Sequence, residues 1–197
     1  MSKNKILGIT GLTGVGKDYL VNAANPNNAV NTLNLGTLVG EALAMDRDAM
    51  MTAASPERIR RAQMSAYRHV VKIQPVIVTC HAVRDAVQGT GYAYDREMED
   101  VFNPTAYVFV SAPPELIEER VARRNESGER KSVVLSAAQI EEEQAAKLFL
   151  MGQLASEIEC DLVVLQNVDE AFDNNTRHLR EQIARIQIPQ LTIVGGE

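Results

Sequence analysis

Gly11-Leu12-Thr13-Gly14-Val15-Gly16-Lys17 sets glycines ahead of a lysine in the spacing G-x-x-x-x-G-K. Glycines let backbone N–H groups turn inward around an anion. A helix that starts at the lysine adds the positive end of its dipole, and the ammonium group reaches the outer phosphate oxygens. This is the Walker A arrangement, and its chemistry is the grip on a nucleoside triphosphate, so ATP is expected along Gly11 to Asp18. The spacing differs from the G-x-G-x-x-G of dinucleotide-binding turns, which argues against a nicotinamide cofactor. Asp18 stands where the motif carries Ser or Thr to hold Mg²⁺ through a hydroxyl. A carboxylate is also a hard oxygen donor, so Asp18 is a candidate metal ligand, although its charge lies near the triphosphate.

The motif needs a strand before it and a helix after it. Lys5 to Thr10 is a short apolar run that ends at the glycines, and Lys17-Asp18-Tyr19-Leu20-Val21 continues as a helix. Ala29 to Leu35 reads as a second strand. Helical patterns follow over Val39 to Met45 and Arg58 to Lys72, the latter with Ser55 as N-cap and Pro56 in its first turn. Pro75 to Thr79, Ala106 to Val110 and Asp161 to Leu165 are continuous apolar runs of the kind expected in strands covered on both faces. Helices are expected over Glu115 to Arg124, Ser136 to Ile158 and Glu170 to Ile186. Ala82 to Asn103 shows no regular pattern, and Asn125 to Val133 is a second polar stretch. Strands alternating with helices predict an α/β P-loop fold: a five-stranded parallel sheet, helices on both faces and a small lid.

With 197 residues, 45% hydrophobic and 23% charged, the chain has the composition of one globular domain spanning 1–197. The net charge of −6 argues against a dedicated nucleic-acid binder, which would carry a basic surface. Cys80 and Cys160 form no disulfide framework or metal-ligand cluster, and no apolar segment has the length of a membrane span. A cytoplasmic location is expected.

Several separated patches extend the pattern beyond the loop. They are Gly8 to Lys17, Asp46-Arg47-Asp48-Ala49-Met50, Thr79-Cys80-His81-Ala82-Val83, Gly91-Tyr92, Asn103-Pro104, and Arg120 with Arg123 and Arg124. In order and approximate spacing the chain resembles the archaeal-type adenylate kinases. The resemblance implies transfer of the ATP γ-phosphate to a nucleoside monophosphate, AMP, with Mg²⁺ as cofactor and a homo-oligomer, a trimer, as the assembly. It also implies a lid over 125–133 and an acceptor region over 36–75.

By the same resemblance, Lys17, Arg120, Arg123 and Arg130 are the catalytic cations. Thr37 and Arg47 are substrate contacts; apart from the resemblance, Arg84 is a candidate because it lies just past the Thr79 strand, where ligands gather in open α/β sheets, and His81 takes a structural or substrate-orienting hydrogen bond. Arginine suits these tasks because its planar fork pairs with phosphate oxygens and stays protonated. The family has Asp-Thr-His-Ala where this chain has Thr79-Cys80-His81-Ala82, so the carboxylate expected at the metal is replaced by Thr79. Asp18 in turn replaces the loop hydroxyl. The two positions attend one magnesium ion in such kinases, which suggests an exchange: Asp18 and Thr79 together supply one carboxylate and one hydroxyl.

Ala93-Tyr94-Asp95-Arg96 replaces the family's acceptor loop, and the preference for adenine is open at that point. Two alternatives stand beside AMP: a P-loop kinase for another small acceptor, such as a deoxynucleotide, and a non-kinase ATP-binding switch or assembly factor. The apolar tail from Ile186 to Val194 suits either packing on the domain or a subunit contact.

Overall fold

The computed structural model describes residues 3–45, 54–80, 84–85, 92–127 and 134–187. Its elements, in chain order, are β1 (Asn4–Thr10), α1 (Lys17–Ala24), β2 (Asn31–Asn34), α2 (Leu35–Leu43), α3 (Pro56–Lys72), β3 (Val76–Thr79), β4 (Arg84–Asp85), β5 (Tyr92–Ala93), α4 (Arg96–Phe102), β6 (Pro104–Ser111), α5 (Pro114–Glu126), α6 (Ala137–Glu157), β7 (Asp161–Gln166) and α7 (Phe172–Gln187). Five strands form one parallel sheet in the order β2-β3-β1-β6-β7. The chain therefore has the α/β architecture expected from its strand pattern.

Alternation along the central strands sends side chains to two apolar layers. On one face Ile6, Val76, Val78, Tyr107 and Phe109 pack with α2, α3, α4 and the C-terminal half of α6. On the other face Leu7, Ile9, Ile77, Val108 and Val110 pack with α1, α5 and α7. Both faces of β1, β3 and β6 are thus buried, which accounts for their unbroken apolar runs.

The outer strands are different. β2 is mostly exposed, and in β7 Val164 is 48% exposed because the strand lies at the sheet edge. The expectation of coverage on both faces therefore holds for the runs in β3 and β6 and fails for Asp161 to Leu165 in β7. β2 is also shorter than expected, because Ala29 and Val30 belong to the turn held by Asn25, whose side chain bonds Val30 N and Val30 O.

The stretch 82–103, expected to lack regular structure, contains the antiparallel pair β4/β5 and the helix α4. Two-residue strands and a seven-residue helix are too short to show a period in the sequence. Asp95 starts α4 by accepting from Met98 N, and Arg60 of α3 binds Asp95 at 2.8 Å and Glu97 at 2.6 Å. Helix α4 then places Glu99, 1% exposed, in the core. Glu99 accepts hydrogen bonds from the Tyr67 and Tyr107 hydroxyls, so the buried carboxyl is not left unsatisfied. Tyr107 reaches it by lying over Gly8, where any Cβ would meet the Tyr107 ring at 2.3 Å. Burial, reinforced by Glu99, raises the Tyr107 pKa well above the ordinary phenol value.

Ser55 caps α3 as expected, accepting from Arg58 N at 3.4 Å. Ser136 and Gln139 form a reciprocal capping box that starts α6. Met64 is in the core; Met45 is partly exposed and follows α2, while Met50 and Met51 lie outside the described residues. Residues 128–133 of the expected lid and 188–197 of the tail also lie outside them. Ile186, the first residue of that apolar tail, is fully buried in α7. Among the described residues, no helix is long and apolar enough to cross a membrane.

Candidate functional site

The phosphate-loop residues run from the C-terminal end of β1 into the first turn of α1, where ligands gather in open α/β sheets. Val15 and Leu12 anchor the loop in the core with 0% and 6% exposure. Lys17 Nζ donates to the carbonyls of Gly11 and Leu12, both at 2.8 Å, so the ammonium group is folded against its own loop. A phosphate oxygen would compete with these two carbonyls for the same ammonium N–H donors.

Gly16, just before Lys17, has φ +83° and is crowded by Asn167. A Cβ there would lie 2.4 Å from Asn167 Nδ2 and 3.6 Å from Arg120 Nη1. Glycine is required at this position both by the backbone conformation and by space. Asn167, 4% exposed, donates from Nδ2 to Val15 O at 2.7 Å, and its backbone N donates to Ser111 O at 2.7 Å. It ties the end of β7 to the loop and to the end of β6. Arg120 of α5 also approaches the loop, with Nη1 at a long 3.5 Å from Gly14 O. The structure thus brings Lys17 and Arg120 to one loop. Arg123 is exposed and paired with Glu119 on the same helix, while Arg130 lies outside the described residues.

Thr79 ends β3 and is 4% exposed. Its hydroxyl accepts from Asn34 Nδ2 at 3.1 Å and faces Leu33 O at 3.4 Å. A hydroxyl has one proton and two lone pairs, so one lone pair of Thr79 Oγ1 is left for a hard cation. Asp18 is exposed in the first turn of α1, and its side chain makes no hydrogen bond among the described residues. One carboxylate and one hydroxyl oxygen fit the donor preference of Mg²⁺, which completes its shell with water and substrate phosphate. Among the described residues, no group of three or more His, Cys, Asp or Glu side chains is placed to hold a metal on its own.

On the expected acceptor side, Thr37 is exposed at the start of α2, and its backbone N donates to Asn34 Oδ1 at 3.1 Å. Arg84 is placed in β4 by its backbone; Arg47 and His81 lie outside the described residues. Arg58, Arg61 and Arg68 face solvent on α3.

Asn34 and Asn167 were not singled out by motif or spacing. Each sits at the C-terminal end of a parallel strand, β2 or just past β7, and that position is the signal by which both were findable.

The order of the five parallel strands, with a glycine loop leading from β1 into α1, defines the fold of P-loop kinases. Solved structures share it. Shikimate kinase from Acinetobacter baumannii in complex with shikimate matches with TM-score 0.59 and 14% identity, over 91% of this chain and 93% of that one. Shikimate kinase from Bacteroides thetaiotaomicron matches with TM-score 0.57 and 14% identity, over 91% and 98%. A gluconokinase from Sinorhizobium meliloti matches with TM-score 0.55 and 15% identity, over 94% and 95%. No protein-family model and no curated protein matches the sequence. The solved structures bear out the P-loop kinase fold but not the archaeal-type adenylate kinases in particular.

Proposed function

We propose that this chain is a phosphotransferase that moves the γ-phosphate of ATP to a nucleoside monophosphate, with AMP as the acceptor implied by the sequence resemblance. The observation that carries the reading is the phosphate loop itself. Lys17 is folded against Gly11 O and Leu12 O, Gly16 holds the left-handed turn, and Arg120 stands at the loop's edge. The γ-phosphorus loses its bond to the β,γ-bridging oxygen, which leaves on ADP with the bonding pair, and gains one to an ionised phosphate oxygen of the monophosphate. Charge on the transferring group is met by Lys17 and Arg120, positioned before reaction by the loop and by α5. Mg²⁺, when bound, neutralises charge on the β- and γ-phosphate oxygens. Asp18 and Thr79 are the residues to hold it. Arg123, Arg130, Thr37, Arg47, His81 and Arg84 complete the proposed set on the lid and acceptor sides.

A second reading has a specific observation in its favour: the solved structures that share the fold are named as shikimate kinases and a gluconokinase. The same phosphate loop then serves a hydroxylated metabolite rather than a nucleotide.

ADP formation from Mg-ATP, with each nucleoside monophosphate, deoxynucleotide, shikimate and gluconate added in turn, separates the readings. Stimulation by AMP alone, abolished by Lys17→Ala, is the expected result. Stimulation by another acceptor keeps the phosphotransferase and removes AMP. Binding of ATP without turnover on any acceptor overturns the kinase in favour of a nucleotide-binding switch.

A further inference from the structure

The phosphate loop accounts for the triphosphate end of a nucleotide and leaves its base unassigned. Tyr19 lies two residues past Lys17 and is 67% exposed. Its ring stacks on Phe172, with centroids 4.9 Å apart and planes 30° apart. Phe172 is partly buried and packs on the apolar layer that contains Leu12, Val15 and Leu20. It also opens α7, five residues after Asn167, the side chain that braces Val15 O. The segment that supports the phosphate loop therefore also presents an aromatic pair beside it. Of this pair, Phe172 is the seated ring and Tyr19 the outward one.

We infer that the Tyr19–Phe172 pair is a nucleobase platform, on which the base of the nucleotide held by the phosphate loop stacks against the outward ring. The inference rests on the reading of that loop as a nucleoside triphosphate site. Packing between α1 and α7 alone would be served by a buried ring, and Tyr19 keeps two thirds of its surface in water. A flat aromatic face in water, backed by a second ring that fixes its orientation, suits another π-system. Stacking accepts any base, so the platform adds affinity for a nucleotide over bare phosphate without choosing adenine.

Titration calorimetry with Mg-ATP and with Mg-tripolyphosphate, which lacks base and sugar, tests the platform on the full chain. Tyr19→Ala is expected to weaken ATP by roughly ten-fold or more while leaving tripolyphosphate unchanged. Tyr19→Phe should bind ATP like the parent, since the ring and not the hydroxyl is used, and it controls for any loss of folding in the Ala variant. Equal weakening of both ligands by Tyr19→Ala, or no weakening of either, overturns the platform. A parent chain that binds tripolyphosphate as tightly as ATP also overturns it, with the phosphate-loop reading intact. A parent chain that binds neither overturns both.

Discussion

Asn34 Nδ2 donates to Thr79 Oγ1 at 3.1 Å while Asn34 Oδ1 accepts from Thr37 N at 3.1 Å. One amide thus joins the end of β3 to the first turn of α2. The hydroxyl proposed for the metal and the helix proposed for the acceptor side share this one side chain as a hydrogen-bond partner. Asn34→Ala removes both bonds, and a lost N-cap costs about 1 kcal/mol with a comparable amount for the second bond. Urea unfolding should show a loss of about 2 kcal/mol with an unchanged slope. Asn34→Asp keeps the cap but cannot donate to Thr79, so it should recover about half. Equal stability of the Ala and Asp variants would show that the cap contributes nothing.

Gly16 and Asn167 are expected to be coupled. Gly16→Ala forces a left-handed backbone on alanine and drives its Cβ into Asn167 Nδ2, a destabilisation of about 1–3 kcal/mol accompanied by weaker ATP binding. Asn167→Ala opens the space but leaves Val15 O, now bonded at 2.7 Å, without its donor. The double variant should lose less than the sum of the two single losses, because the collision with Asn167 is absent once that side chain is removed. Strict additivity in thermal or urea unfolding would show that Asn167 yields freely to a Cβ.

The proposed exchange of carboxylate and hydroxyl makes a reciprocal prediction. Asp18→Thr and Thr79→Asp should each raise the Mg²⁺ concentration needed for half-maximal turnover, and the double change should return toward the parent. Losses that simply add in a magnesium titration would show that the two positions do not attend one ion.

Cys160 gives the fold a pH dependence at alkaline pH. Burial, the largest cause, pushes its thiol up to about 11. The folded chain therefore keeps this proton in a range where the unfolded chain has already lost it. Since the folded state binds more protons there, stability falls as pH rises from the ordinary thiol range to about 11. Cys160→Ala should flatten that part of the profile, read as melting temperature between about pH 8 and about pH 10.5. Identical slopes for parent and variant would show that Cys160 does not titrate differently on folding.

The phosphate loop, the strand before it and the helix after it were legible because they are local. Gly11 to Lys17 carries its own geometry in the placement of glycines, and the apolar runs of β1, β3 and β6 announce burial on both faces. Sequence alone therefore determined the parallel α/β class and the chemistry of the loop.

Tertiary structure decided what lies against that loop. Asn167 is 152 positions from Val15, Asn34 is 45 from Thr79, and Tyr19 meets Phe172 only because α1 and α7 pack on the same sheet face. A lone Asn at a strand end or a Tyr on a helix has no periodicity to reveal it. Helix α4 was hidden for a related reason: seven residues hold too few turns to show a stripe, and its start at Asp95 is fixed by Arg60 from a different helix. Local spacing encodes dihedral preference and hydrophobic period, whereas the partner of a polar side chain is chosen by the crossing of elements far apart in the chain. That crossing exists only once the two apolar layers have closed on the sheet.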